Sequence, residues 1–93
     1  LATFATDSVM LTQEGAIKAH GIGEIRQLYE RLFRDHADVQ AELLGRLVVG
    51  SHCMDHERWT RRSKATGQVL VGEAIIRNTE SGGKIIIAQS FKG

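Results

Sequence analysis

The spacing of apolar residues changes its period once along this chain. Between Gly21 and Asp35, apolar residues recur at three- and four-residue steps, which is the pattern of one face of an α-helix. From Val39 onward, apolar and polar residues alternate, which is typical of strands with one buried face. We therefore predict a helix over 21–35, followed by strands. The apolar positions of this helix are Ile22, Ile25, Leu28, Tyr29, Leu32 and Phe33.

Two consecutive long hairpins are predicted after the helix. Gly50-Ser51 and the Gly-rich segment 80–83 supply their turns. Glycine inside a strand often marks a bulge, so we expect Gly45 to bend the first strand and curve the sheet. The predicted strands cover 39–49, 53–62, 68–79 and 84–91, and the alternation places Val39, Ala41, Leu43, Leu47 and Val49 on one face.

The segment before the helix is predicted to be less regular. Residues 1–6 are interpreted as the end of a helix, and 9–11 and 16–18 as two short strands joined by a turn. The chain begins with leucine rather than methionine, and we expect that an N-terminal segment precedes it.

These elements predict one α+β domain over residues 1–93. A curved antiparallel sheet of two long hairpins needs cover on one face, and the helix at 21–35 is available to provide it. A sheet wrapped around a helix leaves a cavity, which is the usual place for a small ligand. Ile87 and Phe91 are interpreted first as core residues, which wall either this cavity or a dimer face, and Tyr29 and Trp59 as aromatic contacts within the cavity. Gln89 interrupts the apolar face of the last strand, so its amide must find a partner, either a ligand or a side chain such as Arg58.

Composition and charge narrow the class of protein. The chain has 93 residues, 42% hydrophobic and 25% charged, and a formal net charge of +1. That balance gives no electrostatic reason to expect nucleic acid as a partner. No apolar run approaches the roughly 20 residues that span a bilayer, so we expect no membrane partner. One cysteine excludes an internal disulfide and fits a reducing compartment, so we predict a cytoplasmic location.

The densest polar chemistry lies at Asp55-His56-Glu57-Arg58. On a strand, Asp55, Glu57 and Trp59 share one face and His56, Arg58 and Thr60 the other. Whichever set faces the cavity puts ionisable groups among apolar neighbours, where pKa values shift. The alternative is a solvated or dimer-facing strand with ion pairs to its neighbours.

Metal and cofactor sites are not predicted. His52 and His56 would lie about 13 Å apart along a strand, which is too far to chelate one ion. Cys53 would need a neighbouring base to act as a nucleophile, and His56 is on the opposite strand face. We interpret Cys53 as a small buried residue.

Five segments together resemble the nuclear transport factor 2-like superfamily, which includes proteins similar to ketosteroid isomerases, polyketide cyclases and limonene epoxide hydrolases. The segments are FATDSVML, GIGEIRQLYERLF, VQAELLGRLVVG, MDHERWT and TESGGKIIIAQSF. The resemblance implies a cone-shaped, cystatin-like roll, and often a homodimer formed through the outer face of the sheet. It also implies an N-terminal helix ahead of the given residues, and it implies that His56 and Arg58 face the cavity.

The resemblance transfers few catalytic residues. The position of the isomerases' general base corresponds to Thr12, whose hydroxyl does not take up a proton near neutral pH. Their second acid corresponds to Glu73 or Ala74. Of the five residues of the epoxide hydrolases, only the arginine is matched, by Arg58. The other four positions hold Met10, Thr12, Thr60 and Gln89.

Two functions stay open on this basis. The first is an isomerase- or cyclase-like enzyme acting on a small apolar molecule, in which His56 and Arg58 orient the substrate and Glu73 or Glu57 is the acid or base. The second is a non-catalytic ligand-binding or homodimeric assembly module of the same fold. The sequence leaves open whether the chain is an enzyme.

Overall fold

The computed structural model describes residues 4–92. It contains one helix and six strands in these residues, and the order along the chain agrees with the predicted hairpins. None of the described helical structure is long and apolar enough to cross a membrane. The elements are β1 (Phe4–Leu11), β2 (Ile17–His20), α1 (Ile22–Asp35), β3 (His36–Val49), β4 (His52–Ser63), β5 (Val69–Ser81) and β6 (Lys84–Lys92).

The six strands form a single curved, unclosed sheet. Their order is β2-β1-β6-β5-β4-β3, and all neighbours are antiparallel except β1 and β6, which are parallel. The two long hairpins, β3-β4 and β5-β6, lie side by side through the β4–β5 pairing. The predicted fold class, an α+β curved sheet with helical cover, is confirmed.

Strand β3 is irregular at two places. Its pairing with β4 shifts between Ala37 and Gln40, where Asp38 adopts a φ of 54°, and again between Leu43 and Gly45. The predicted bend at Gly45 is confirmed. The prediction that Leu43 and Leu47 share a face is wrong, because the extra residue at the second shift reverses the alternation.

Helix α1 packs over one end of the sheet, against β1, β2 and the start of β3. Ile25 is fully buried, and the carboxylate of Glu24 accepts a hydrogen bond of 2.9 Å from the backbone N–H of His20 at the helix start. The helix ends at Asp35, as predicted. Phe33 was expected on the buried stripe, but 55% of its surface is exposed, because it lies at the edge of the apolar arc.

The N-terminal prediction is corrected by the structure. Phe4 to Thr6 belong to strand β1 rather than to a helix, and Phe4 is paired with Ile85 of β6. Residues 1–3 and the expected preceding helix lie outside the described residues.

The two faces of the sheet differ in their cover. We call the face that turns toward α1 the helix face and the opposite one the outer face. The cross-strand pairs Glu57–Ala74, Trp59–Gly72 and Ala74–Lys92 lie on the helix face. Between residues 4 and 92, the buried apolar side chains are Ala19, Ile25, Ala74 and Ala88.

Candidate functional site

A cleft of about 430 Å³ lies between α1 and the helix face of the sheet. This volume falls within the range of small-molecule sites, roughly 300–1,000 Å³. All the sheet strands except β5 contribute to its walls together with the helix. The lining residues are Met10, Lys18, Leu28, Tyr29, Arg31, Leu32, Asp35, His36, Trp59, Arg61, Ser90 and Lys92.

Trp59 is held in the cleft wall by two neighbours. A Cβ atom on Gly72 would lie only 2.3 Å from Cζ2 of the indole, so the ring occupies the space that a side chain at Gly72 would need. The guanidinium carbon of Arg61 lies 4.6 Å from the ring centroid, which is a cation–π contact. Glycine at position 72 therefore fixes the face on which Trp59 lies.

Glu57 shares a sheet face with Trp59 without lining the cleft itself, whereas Tyr29 lies in the cleft wall. Glu57 lies on β4 two residues from Trp59, and burial raises its pKa, with a smaller contribution from the charge of Asp55. The pKa of Tyr29 is raised first by burial and then by the charge of Glu57. A carboxyl group with a raised pKa whose charge acts on a phenol belongs to a pair of groups that can hold or transfer a proton.

Asp55 is the opposite case on the same face. Its carboxylate accepts two hydrogen bonds from Arg46, at 2.7 and 3.1 Å, and one from the Sγ of Cys53 at 3.4 Å. The hydrogen bonds from Arg46 lower the pKa of Asp55. They outweigh the burial of the Asp55 side chain, which is only 8% exposed and would by itself raise this pKa. The pKa values of these two neighbouring carboxyl groups are thus shifted in opposite directions, so that Asp55 stays ionised while Glu57 protonates more readily.

Cys53 does not gain reactivity from this arrangement. Burial and the hydrogen bond to Asp55 both raise the pKa of its thiol. The thiolate that a nucleophile requires is therefore disfavoured.

Three of the four predicted catalytic residues face away from the cleft. His56 Nε2 lies 2.9 Å from Oε1 of Glu73, and Arg58 Nη1 lies 3.8 Å from Oε2 of Glu42, with all four side chains about half exposed or more. The expectation that His56 and Arg58 point inward is wrong. Trp59 fits on the helix face over Gly72, and strand alternation then places His56, Arg58 and Glu73 on the outer face.

The predicted ligand-binding residues are also divided between the faces. Tyr29 and Trp59 line the cleft, whereas Gln89, Ile87 and Phe91 are absent from its walls and pair with outer-face positions of β5. Gln89 is buried, and its amide donates a hydrogen bond of 3.0 Å to the backbone oxygen of Thr12. The partner of this amide is therefore neither a ligand nor Arg58.

A smaller recess of about 240 Å³ adjoins the cleft and shares four of its lining residues. Thr12 lies in its wall. The shared residues are Met10, Lys18, Ser90 and Lys92.

Several cleft residues were missed by sequence reasoning. The predicted site residues do not include Lys18, Arg31, Arg61 or Lys92. The alternation of β6, which places Ala88, Ser90 and Lys92 on one face, was a usable signal for Lys92. In the part of the chain that the structure describes, no group of three or more His, Cys, Asp or Glu side chains could hold a metal ion.

Known proteins resemble this chain in structure rather than in sequence. No family model and no curated protein sequence matches it. A ketosteroid isomerase-like protein from Catenulispora acidiphila superposes with a TM-score of 0.85 at 16% identity, over 97% of this chain and 69% of its own.

Two further solved structures show the same likeness. A protein from Jannaschia sp., named for its likeness to SnoaL polyketide cyclases, has a TM-score of 0.87 at 15% identity, over 98% of this chain and 67% of its own. A nuclear transport factor 2-like protein from Burkholderia thailandensis has a TM-score of 0.85 at 16% identity, over 99% of this chain and 74% of its own. At these identities the comparison establishes a shared fold.

Proposed function

We propose that this chain, which has the nuclear transport factor 2-like fold, binds a small molecule in the cleft under α1 and moves a proton on it. The observation that supports this proposal is that the charge of Glu57, whose own pKa is raised, acts on Tyr29, a residue in the wall of a cleft of ligand size. Isomerisation and cyclisation by proton transfer require an acid or base of this kind and no cofactor.

Each residue has a definite role in this proposal. The carboxylate of Glu57 removes a proton from a carbon next to a carbonyl group and returns it to another carbon of the same molecule. The phenol of Tyr29 donates a hydrogen bond to the carbonyl oxygen while negative charge develops there. Trp59 and Leu28 hold the apolar body of the substrate in the cleft wall.

Glu57 replaces Glu73 as the proposed acid or base. Glu73 faces the outer side of the sheet, where its carboxylate pairs with His56 and its side chain is 51% exposed. A substrate on this outer side of the sheet would stay exposed to water.

Turnover assays on two glutamine variants test this proposal. The panel would contain steroid-like enones and polyketide-like aromatic ketones, first ranked by thermal shift. We expect Glu57→Gln to lower turnover by about 100-fold or more while binding is kept. Glu73→Gln, the matched control on the opposite face, is expected to retain turnover. Equal turnover in wild type and Glu57→Gln would contradict the proposed role.

The second candidate function is homodimeric assembly through the outer face. Leu47, Val49 and Val71 on this face are 62%, 66% and 61% exposed, and such exposure of apolar side chains marks an interaction surface. Between them lie the pairs Glu42–Arg58 and Glu73–His56, which carry both signs of charge. A surface with balanced charges can meet a copy of itself about a two-fold axis.

Sedimentation equilibrium tests this assembly. We expect the wild-type chain to be a dimer, and Val71→Glu to be a monomer because the new carboxylate would be buried against the partner copy. Ile17→Glu is the matched control, since Ile17 is 67% exposed on β2, away from β3–β5. A monomeric wild type, or equal dissociation of both variants, would contradict the proposed interface.

A further inference from the structure

The cleft under α1 has a strong excess of positive charge in its walls. Four basic side chains line it against one carboxylate, although the whole chain has a formal net charge of only +1. That carboxylate, Asp35, already accepts hydrogen bonds of 3.1 and 3.4 Å from the guanidinium of Arg34. The four basic residues come from four different elements, and they are Lys18, Arg31, Arg61 and Lys92.

These four cations differ from other basic residues of the chain in their partners. Arg46, Arg58 and Arg62 each form an ion pair with an acidic side chain. Within residues 4–92, none of the four cleft cations forms such a pair. Their charges are therefore available to a ligand.

Arg61 adds an unsatisfied donor to this excess of charge. Its Nε atom is buried and has no hydrogen-bond partner in the described structure, while its guanidinium lies over the Trp59 ring. A buried guanidinium N–H normally has an acceptor, so this donor adds to the unpaired positive character of the cleft wall beside Trp59.

We infer that the cleft binds an anionic amphiphile, namely a carboxylate attached to an apolar body. This inference rests on the proposed function, because it names the ligand class of the same cleft. Lys18 and Lys92 line both the cleft and the adjoining recess, so the carboxylate lies at their boundary. The apolar body lies against Trp59 and Leu28. The sequence alone suggested a purely apolar molecule.

Calorimetric titration with a matched pair of ligands tests the inference. The probes are 4-phenylbutanoate and 4-phenylbutanamide, which differ in the charged group and share the phenyl body. We expect the carboxylate to bind wild-type protein about tenfold more tightly than the amide, since a charge-assisted hydrogen bond is stronger than a neutral one. Added sodium chloride should weaken binding of the carboxylate and leave that of the amide unchanged.

Two variants connect this preference to the cleft. In Lys18→Gln/Lys92→Gln, we expect the ratio of the two affinities to fall close to one. Lys84→Gln removes the same kind of charge at the exposed β5–β6 turn, outside the cleft, and should keep the wild-type ratio.

The possible results separate this inference from the proposed function. Equal affinities for the two probes in wild type would overturn the anionic ligand and leave the cleft as a binding site. No binding of either probe would overturn both. An equal loss of preference in Lys84→Gln and the double variant would show a general effect of net charge, and would also overturn the inference.

Discussion

Replacing Gly72 with alanine should displace Trp59 from the cleft wall. The added methyl group would lie 2.3, 2.6 and 2.9 Å from three atoms of the indole, and contacts below about 3 Å require one group to move. The ring is large, and Arg61 covers it, so a small adjustment cannot relieve the contact. Overpacking of this kind costs about 1–3 kcal/mol.

This cost converts into a large change in thermal stability. For a domain of this size, 1 kcal/mol shifts the unfolding midpoint by roughly 4–8 °C. Taking about 2 kcal/mol, we expect Gly72→Ala to lower the midpoint by about 8–16 °C. The chain has one tryptophan, so its fluorescence reports on Trp59 alone, and we expect emission at longer wavelength in the folded variant.

Gly45→Ala is the matched control in β3, which is separated from β5 by β4. No atom lies within 4 Å of the Cβ position at Gly45, and its φ is outside the left-handed region. Alanine there should leave the midpoint unchanged or raise it slightly, because glycine inside a strand carries an entropic cost. An unchanged midpoint and emission in Gly72→Ala, or equal losses in both variants, would refute the reasoning.

Two further predictions concern the neighbouring carboxyl groups of β4. Asp55→Asn should lower the unfolding midpoint at pH 7 by about 5–10 °C, because it removes the charged acceptor of the two hydrogen bonds from Arg46 and the one from Cys53. Since the pKa of Asp55 is lowered by folding, its stabilising contribution is complete above the unfolded-state pKa and is lost as pH falls through the folded-state pKa. Thermal melts should therefore show the difference from wild type shrinking below about pH 4, and a constant difference would contradict this. Glu57→Gln should raise the midpoint at pH 7 by about 2–4 °C, because the raised pKa of Glu57 makes its ionisation unfavourable in the folded state. That gain should vanish in melts near pH 4, where Glu57 is protonated, and a variant less stable than wild type at pH 7 would argue against the burial of its charge.

The sequence predicted the elements of this fold well for a physical reason. The helix and the long strands each show their own period over many residues, so the change of period near His36 could be read directly. The ends of strands and the N-terminal segment were less certain, because a short apolar run such as Phe4 to Thr6 fits either a helix end or a strand.

The orientation of β4 could not be obtained from its own residues. Both faces of Asp55 to Thr60 carry polar groups, so alternation alone does not distinguish them. The orientation of β4 is determined by the contact between Trp59 and Gly72. These residues are 13 positions apart and meet only through the β4–β5 register. In β3, the extra residue near Gly45 reversed the alternation, which a strict period of two does not anticipate.

The hydrogen-bond partner of Gln89 could not be predicted from the sequence either, because it lies still farther away along the chain. Its amide donates to Thr12, 77 residues away, across the parallel pairing of β1 and β6. Sequence reasoning correctly required a partner for a buried amide. The identity of that partner depends on which strands meet, and a parallel pairing of the first and last strands has no local signature.

The most direct test of the account is to locate a bound ligand by NMR. With 4-phenylbutanoate present, intermolecular NOEs from its phenyl protons should reach the rings of Trp59 and Tyr29. NOEs to the methyl groups of Val71 and Ile75 instead would place the ligand on the outer face. That result would contradict the claim that the cleft under α1 is the functional site.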